Sequence, residues 1–380
     1  MILESKLPDV GTTIFSVMSR LAQEHSAINL SQGFPNFDCD PALKALVIKH
    51  LEAGRNQYAP MPGVPALRQV LAEKARATYG ADLDPEAHIT ITAGATQAIY
   101  TAIATVVHPG DEVILFDPAY DCYAPSVRSC GGIPVAIPLH APDFTIDWDQ
   151  VAQRITPKTK LVVINTPHNP LGKVLTDHDL RQLEVLVRQN DLLVLSDEVY
   201  EHIIFDGRQH ASVLRVPGLR QRAFVTYSFG KMCHTTGWKV GYCIAPEALT
   251  AEFRKLHQFN VFSVNTPMQH ALAEYLQDPD TYLGLPAFFQ AKRDHFVRAM
   301  EATPFRMLAC EGSYFILADY SDISDLDDLA FARWLTEEHG VATIPLSPFY
   351  AEKISQPVVR FCFAKTEATL DEAAERLRQL

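Results

Sequence analysis

The sequence predicts an α/β fold with a mostly parallel central sheet flanked by helices. Short apolar runs alternate with amphipathic helical patterns through the middle of the chain. These runs are rich in β-branched residues and too short for helices, which is typical of strands covered on both faces. They span residues 89–92, 113–116, 161–164, 192–195, 223–227 and 240–245. Because ligands of such sheets bind at the carboxyl ends of the strands, the residues after each run are candidate site residues.

Capping residues, prolines and glycines predict where helices begin and end in the rest of the chain. Asp40-Pro41 predicts an early helix, and Pro65 predicts a second helix that ends near Gly80. Capping boxes predict helices that open at Thr176 and, near the C-terminus, at Thr369. The chain has 380 residues, which is long enough for two domains. We expect a large domain over 42–280 and a smaller α/β domain formed by 1–41 together with 281–380.

Composition argues against several classes of partner. The formal net charge is -12 and no Lys/Arg run occurs, so a nucleic-acid partner is not expected. The seven cysteines are scattered and never spaced C-x-x-C, which favours reduced thiols over disulfides or a metal site. No signal peptide pattern and no apolar run of about 18 residues is present. We therefore expect a soluble, cytoplasmic protein that binds neither a membrane nor a metal.

A lysine follows the run at 223–227 in the motif Ser228-Phe229-Gly230-Lys231, and a second lysine, Lys239, lies in Gly237–Gly241. An unpaired lysine amine can form a Schiff base with an aldehyde, while the serine hydroxyl and the second cation can hold a phosphate. Taken alone, a lysine near glycines is usually a solvated loop lysine. Combined with the other strand ends, the motif predicts a pyridoxal phosphate site.

The run at 89–92 leads through Gly94 directly into a helix. Small residues at that junction leave backbone N–H groups exposed at the positive end of the helix dipole. The segment Ala95-Thr96-Gln97 is therefore a candidate phosphate cup, and an ordinary strand-to-helix turn is the alternative.

Other strand ends carry groups that suit the same ligand. Asp197 ends a buried run, where its charge needs a cation such as a protonated pyridine nitrogen; a helix cap is the alternative. Tyr200 and Asn169 offer a hydroxyl and an amide to a phenolate oxygen, although Asn-Pro turns are common. Tyr120 could stack on a ring or fill the core. Arg360 within an apolar strand predicts a carboxylate clamp, with a structural ion pair as the alternative.

Several motifs occur in an order that resembles the class I aminotransferases of pyridoxal phosphate fold type I, from about Ile28 to the end of the chain. These motifs are Asn165–Gly172, Ser196–Tyr200, Ser228–Lys231 and Thr236–Gly241. Three further motifs resemble the kynurenine/glutamine transaminase branch and its bacterial methionine aminotransferases: Ser31–Pro35, Asn56–Tyr58 and Ser263–Pro267.

The resemblance implies a role for each residue around the cofactor. Lys231 would form the aldimine and move a proton between Cα and C4′, and Asp197 would pair with the pyridine N–H. Asn169 and Tyr200 would bind the phenolic oxygen, and Tyr120 would stack on the ring, where many relatives have Phe or Trp. The phosphate would be held by Ser228, Lys239 and the backbone of Ala95, Thr96 and Gln97. Lys239 departs from the aspartate branch, which has arginine there and so a bidentate fork.

The resemblance also implies how substrate binds. Arg360, Asn169 and the Gly33 N–H would hold the substrate carboxylate. Phe15, Tyr58 and Phe262 are candidate walls of the side-chain pocket, although phenylalanine is more often a core residue. Tyr58 would in addition reach the phosphate of the neighbouring subunit, which implies an obligate homodimer.

The implied activity is a ping-pong aldimine transfer of the amino group of methionine, and of glutamine or aromatic amino acids, to a 2-oxo acid. A Cys-S-conjugate β-lyase and a kynurenine–oxoglutarate transaminase are alternatives on the same fold, because labilising the Cα–H bond is common to all of them. A cofactor-binding sensor domain is disfavoured, since the residues before Ile28 are too few for a DNA-binding module.

Overall fold

The computed structural model describes residues 4–380, in which helices and strands alternate along most of the chain. The helices are α1 (Ile14–Glu24), α2 (Pro41–Glu52), α3 (Pro65–Tyr79), α4 (Pro85–His88), α5 (Ala95–Val106), α6 (Tyr123–Ser129), α7 (Trp148–Arg154), α8 (Asp177–Gln189), α9 (Pro217–Arg220), α10 (Phe229–Met232), α11 (Glu247–Asn260), α12 (Thr266–Tyr275), α13 (Asp280–Leu283), α14 (Leu285–Met300), α15 (Asp328–Glu338) and α16 (Glu367–Leu377). None of these helices combines the length and apolar composition that crossing a membrane requires.

The strands in residues 4–380 form three sheets. They are β1 (Ile28–Asn29), β2 (Ile89–Thr92), β3 (Glu112–Asp117), β4 (Ile133–Pro138), β5 (Thr159–Asn165), β6 (Leu193–Asp197), β7 (Ala223–Ser228), β8 (Gly241–Ile244), β9 (Arg306–Met307), β10 (Phe315–Asp319), β11 (Val341–Ala342), β12 (Ile344–Pro345) and β13 (Val358–Cys362).

The central sheet has seven strands in the order β2-β8-β7-β6-β5-β3-β4. Neighbours from β7 to β4 pair in parallel, and β8 runs antiparallel to both of its neighbours. The predicted mostly parallel sheet is therefore confirmed. The apolar runs predict every strand of this sheet except β4. That strand lies at the sheet edge, is only partly buried and contains two prolines, so it lacks the apolar signature of a covered strand.

Two smaller sheets bring the ends of the chain together. The strand β1 pairs in parallel with β11, and β12-β13-β10-β9 form an antiparallel sheet between residues 306 and 362. Strand β1 thus joins the N-terminal segment to the C-terminal part of the chain. The division into domains at residues 41 and 281 agrees with this pairing but stays a prediction.

Most of the predicted helix ends are confirmed. The Asp40 carboxylate caps α2, and α3 ends at Gly80, whose φ of 65° is the left-handed conformation that favours glycine. Thr176 and Asp179 form a complete capping box for α8. The predicted start of the last helix is wrong, because α16 begins at Glu367 and Thr369 lies inside its first turn. There the Thr369 hydroxyl bonds with the side chains of Asn36 and Thr366 instead of capping the helix.

The parallel strands place the candidate side chains at one edge of the central sheet. Asn165 ends β5, Asp197 ends β6 and Ser228 ends β7, with Asn165 directly opposite Asp197 in the strand register. The carboxyl ends of parallel strands meet at the same edge, so these residues converge although the chain separates them widely. Arg360 approaches from β13 in the antiparallel sheet.

Candidate active site

A cavity of about 200 Å³ lies at this edge of the central sheet and collects most of the predicted site residues. The predicted residues that line it are Phe15, Gly33, Ala95, Thr96, Tyr120, Asn169, Asp197, Tyr200, Ser228, Lys231, Lys239 and Arg360. Three predicted residues lie elsewhere: Gln97, Tyr58 and Phe262. The tertiary structure therefore brings twelve of the fifteen candidates into one cavity.

Lys231 lies in α10, the short helix that follows β7. Its Nζ donates to the Tyr314 hydroxyl at 2.8 Å and to the Gly33 carbonyl at 3.3 Å. Burial lowers the pKa of Lys231 to about 8, because the charged amine is disfavoured away from water. A primary amine with a depressed pKa has a larger neutral fraction near neutral pH, which is what a nucleophile or a base requires.

Asp197 is 3% exposed, and its carboxylate has neutral hydrogen-bond partners. The Tyr123 hydroxyl donates to Oδ2 at 2.6 Å, and the Val199 N–H donates to Oδ1 at 3.4 Å. Burial raises the pKa of Asp197 to about 6, although the bond from Tyr123 opposes this rise. Because the hydrogen-bond partners of this carboxylate in residues 4–380 are all neutral, a cation that enters the cavity beside it would stabilise its charged form.

Asn165 links the ends of β5 and β6 to the loop that carries Asn169. Its side-chain amide donates to the Asp197 carbonyl at 2.9 Å, and its side-chain oxygen accepts from the Asn169 N–H at 2.7 Å. The side-chain oxygen of Asn169 in turn accepts from Arg360 Nη1 at 2.7 Å. This chain of bonds fixes the amide of Asn169 between the strand ends and Arg360.

Arg360 is fully buried on β13. Besides Asn169, it donates from Nη2 to the Ser31 carbonyl at 2.7 Å, while its Nε is buried without a hydrogen-bond partner in residues 4–380. The guanidinium lies 3.8 Å from the centre of the Phe315 ring and 5.2 Å from that of Phe15. Rings near a guanidinium attract its charge and restrict its orientation. The arginine is thus held in place but retains donor capacity for an anion in the cavity.

A separate corner of the cavity is built to receive an anion. Helix α5 starts at Ala95, so the N–H groups of its first turn face the cavity at the positive end of the helix dipole. The side chain of Lys239 lies in the same corner, beside Gly94. A β-carbon at position 94 would be only 3.4 Å from the Lys239 Nζ. Ser228 and Thr236 add hydroxyl groups to the lining. A helix N-terminus, an ammonium and two hydroxyls match the donors that a phosphate needs.

Gln97 faces away from the cavity. Its side-chain oxygen accepts from the Ala93 N–H at 3.0 Å, and its amide donates to the Thr101 hydroxyl at 2.7 Å. The side chain therefore stabilises the start of α5, and the predicted contact of the Gln97 backbone with phosphate stays a prediction.

Tyr58 and Phe262 lie on the surface of the chain, outside the cavity. Tyr58 is 80% exposed and Phe262 is 53% exposed, and their rings pack edge to face at 5.2 Å. Within a single chain, neither residue forms a wall of the cavity.

Four residues that contact the predicted site residues were not predicted from the sequence: Tyr123, Tyr314, Asn165 and Phe315. Asn165 lies in a motif that the resemblance used, and its position at the end of an apolar run was the available signal. The other three are aromatic residues in apolar surroundings, where sequence cannot distinguish core from site.

The residues of the cavity fit pyridoxal phosphate. Lys231 is an amine of depressed pKa that suits the aldehyde. Asp197 is a buried acid whose hydrogen-bond partners in residues 4–380 are neutral, and it suits the ring nitrogen. The corner formed by α5 and Lys239 suits the phosphate. The unpartnered Nε of Arg360 suits a carboxylate beside the cofactor.

Comparisons with known proteins agree with this chemistry. The family model "Aminotransferase class I and II" matches residues 25–377. A methionine aminotransferase of Escherichia coli (strain K12) is 52% identical over 100% of this chain and 99% of its own. A kynurenine–oxoglutarate transaminase 1 of Rattus norvegicus is 34% identical over 98% of this chain and 97% of its own.

Solved structures match over the whole chain as well. The crystal structure of an Escherichia coli protein with methionine aminotransferase function superposes with a TM-score of 0.98 at 52% identity, covering 100% of both chains. An N-succinyldiaminopimelate aminotransferase of Mycobacterium tuberculosis superposes with a TM-score of 0.95 at 36% identity, again covering 100% of both chains. These matches confirm the predicted fold type I. The chain therefore belongs to the class I and II aminotransferases and is an enzyme that transfers amino groups with pyridoxal phosphate as its cofactor.

Proposed function

We propose that the protein transfers the amino group of methionine to a 2-oxo acid, with glutamine and aromatic amino acids as further donors. The distribution of charge in the cavity carries this proposal. Three of the lining residues in 4–380 are cationic: Lys231, Lys239 and Arg360. We assign them to the aldehyde, the phosphate and the substrate α-carboxylate, so none remains for a second carboxylate on the substrate side chain.

The remaining walls of the cavity favour an uncharged substrate side chain. Phe15, Ile99 and Phe315 line it with apolar surface, which suits a thioether or an aromatic ring. The 52% identity to a methionine aminotransferase supports methionine among such donors. The similarity to kynurenine–oxoglutarate transaminases supports kynurenine as the second candidate donor.

We assign the cofactor contacts residue by residue. Asp197 pairs with the ring nitrogen, and Asn169 and Tyr200 bind the phenolic oxygen. Tyr120, which lines the cavity beside them, stacks on the ring. The phosphate is held by Ser228, Lys239 and the backbone of Ala95, Thr96 and Gln97.

The side chains then have defined tasks in the reaction. When bound, the cofactor supplies an aldehyde that takes up the amino group and a ring that acidifies the Cα–H bond. Asp197 keeps the ring nitrogen protonated, because its buried carboxylate favours a proton on a nitrogen beside it. Arg360 and Asn169, with the Gly33 N–H, hold the substrate carboxylate and so aim the Cα–H bond at Lys231. The neutral amine of Lys231 would remove that proton and deliver it to C4′ of the cofactor.

We further propose a homodimer in which Tyr58 of one copy completes the site of the other. Tyr58, Phe259 and Phe262 are 80%, 87% and 53% exposed, and large aromatic residues at such exposure suit an interface between subunits. Phe262 would then form a substrate-pocket wall at the subunit boundary. In each copy, we propose a large domain over 42–280 and a small one from 1–41 and 281–380.

We also propose a cytoplasmic location. All seven cysteines are free, and five of them are buried, which suits a reducing compartment.

Two measurements test the proposed function. The purified protein should show the absorbance of lysine-bound cofactor, and Lys231→Ala should abolish it while the control Lys255→Ala, at an exposed position, leaves it intact. Mixing the enzyme with methionine should bleach this band, and adding 2-oxo acids should restore it with formation of the matching amino acids. An unchanged spectrum in Lys231→Ala would refute the site. Pyruvate and ammonia from a cysteine conjugate, without amino transfer, would favour a β-lyase.

A further inference from the structure

The hydroxyl of Tyr314 is the nearest hydrogen-bond partner of the Lys231 amine. Their separation is 2.8 Å, and the other acceptor of the amine, the Gly33 carbonyl, lies at 3.3 Å. Tyr314 is fully buried and immediately precedes β10, whereas Lys231 follows β7 of the central sheet. The bond therefore joins the central sheet to the antiparallel sheet that carries Arg360.

The direction of these bonds follows from their partners. A carbonyl oxygen only accepts, so the Tyr314 hydroxyl donates its hydrogen to Gly33 at 2.6 Å. Burial raises the pKa of Tyr314 well above its ordinary value, so the phenol keeps this hydrogen. Its oxygen then has lone pairs left only for accepting, and the Lys231 amine is the donor. This polarity is the same whether the amine is charged or neutral.

Tyr314 cannot follow the lysine if the lysine moves. Its ring is packed by Tyr200 at 5.1 Å, Phe315 at 4.9 Å and Phe289 at 5.8 Å between ring centres. Interiors packed at this density leave little room for a side chain to change position. The hydroxyl is thus a fixed acceptor at the edge of the cavity.

We propose that Tyr314 is a positioning residue that receives the amine of Lys231 each time a substrate amino group displaces it from the cofactor. This inference rests on the role proposed above for Lys231. Two N–H bonds, to Tyr314 and to Gly33, leave the lone pair of the neutral amine free to face the Cα–H bond. Proximity of this kind lowers the barrier to proton transfer because the base is already in place.

The proposal predicts a change in the titration of Lys231 itself. An acceptor stabilises the charged amine more than the neutral one, so Tyr314→Phe should lower the pKa of Lys231 further. The substitution leaves the identity of the other titratable groups around the amine unchanged: Asp197, Lys239, Tyr200, Arg360 and Cys362. The shift can be measured in the cofactor-free full-length protein by acetylating it at a series of pH values and quantifying the Lys231 peptide by mass spectrometry.

The holoenzyme gives a second readout. A misplaced base should lower kcat for methionine about tenfold to a hundredfold and leave KM nearly unchanged, since substrate contacts remain. The isotope effect with Cα-deuterated methionine should rise, because proton transfer becomes more rate-limiting. Tyr320→Phe is the matched control, because Tyr320 is also a buried tyrosine and its hydroxyl donates to the Leu326 carbonyl at 3.0 Å outside the cavity. It should alter stability only.

An unshifted acetylation midpoint together with a wild-type kcat and isotope effect in Tyr314→Phe would overturn the proposal. Failure of the proposed function is distinguishable, because it would show as cofactor absorbance that survives Lys231→Ala. Tyr314→Gln, which supplies an amide oxygen as acceptor, should return the midpoint toward the wild type. If neither variant folds, cross-peaks between selectively labelled Lys231 and Tyr314 in the wild-type protein support the bond, and their absence overturns it.

Discussion

Arg360→Lys tests the assignment of the substrate carboxylate. The two terminal nitrogens of the arginine donate to Asn169 and Ser31, and its buried Nε has no hydrogen-bond partner in the described part of the chain. Lysine keeps the positive charge but replaces the planar fork by a single ammonium. It also loses the contact of the guanidinium with the Phe315 ring, 3.8 Å away. The variant should therefore hold a carboxylate with fewer bonds and a less defined orientation.

The size of the effect follows from the bonds that the variant loses. A hydrogen bond to a charged group contributes about 1.5–3 kcal/mol. With an ammonium in place of the guanidinium at position 360, the substrate carboxylate should accept one such bond fewer, which corresponds to about 2 kcal/mol. A loss of about 2 kcal/mol in the transition state corresponds to roughly a thirtyfold fall in kcat/KM.

The assay compares substrates with and without the carboxylate. Single-turnover reactions of the holoenzyme are followed with methionine and with its decarboxylated amine, 3-(methylthio)propylamine. The wild type should prefer methionine strongly, and Arg360→Lys should reduce that preference by roughly thirtyfold. Arg68→Lys is the control, because Arg68 is also buried and bonded to carbonyls but lies outside the cavity.

Equal losses for both substrates would refute the reasoning. They would mean that the arginine maintains the structure of the site rather than contacting the carboxylate. A loss of activity with the same fall in thermal stability as Arg68→Lys, and with unchanged preference, would lead to the same conclusion.

Three further predictions concern the cofactor and the subunit interface. In the cofactor-free protein, Asp197 has a folded-state pKa of about 6 against an ordinary 3.8, so its contribution to stability is present below pH 3.8 and lost as pH rises to about 6. Urea unfolding should show that the free energy of unfolding of the wild type, relative to that of Asp197→Asn, falls by about 3 kcal/mol across that pH window. The same pH dependence in both proteins would contradict the prediction. Lys239→Gln should weaken pyridoxal phosphate binding about tenfold to a hundredfold by fluorescence titration, because one charge-assisted bond to phosphate is lost; an unchanged Kd would exclude that contact. Phe259→Glu should convert a dimer to monomers in analytical ultracentrifugation, whereas an exposed Glu252→Gln control should remain dimeric; a dimeric Phe259→Glu would place the interface elsewhere.

The central sheet was predictable because its strands carry their own signal. A strand covered on both faces must be apolar throughout, and runs such as that at 161–164 therefore stand out from the helical patterns around them. The edge strand β4 lacks this signal, since partial exposure removes the need for continuous apolar residues. The start of the last helix was predicted wrongly because the residues from Thr369 match a capping box, although Thr369 lies within the first turn of α16. The helix itself begins at Glu367, and its N-cap residue makes no side-chain capping bond.

The sequence predicts site residues where ionisable side chains lie next to buried apolar strands. Asp197, Lys231 and Arg360 are ionisable groups beside apolar strands, and a charge in such a place indicates a partner. Aromatic residues give no such indication, because an aromatic side chain can be buried without a charged partner. Tyr123 and Tyr314 contact Asp197 and Lys231 directly, yet as sequence they are indistinguishable from core tyrosines.

The sequence by itself determined the fold class, the family and the ionisable residues, because periodicity and charge are local properties of the chain. Only the tertiary structure decided which groups meet. It brought Gly33, Tyr314 and Lys231 together from three distant segments, and it placed Tyr58 and Phe262 on the surface instead of in the cavity of their own chain. The physical reason is that contacts across sheets depend on register and packing, which no short stretch of sequence encodes.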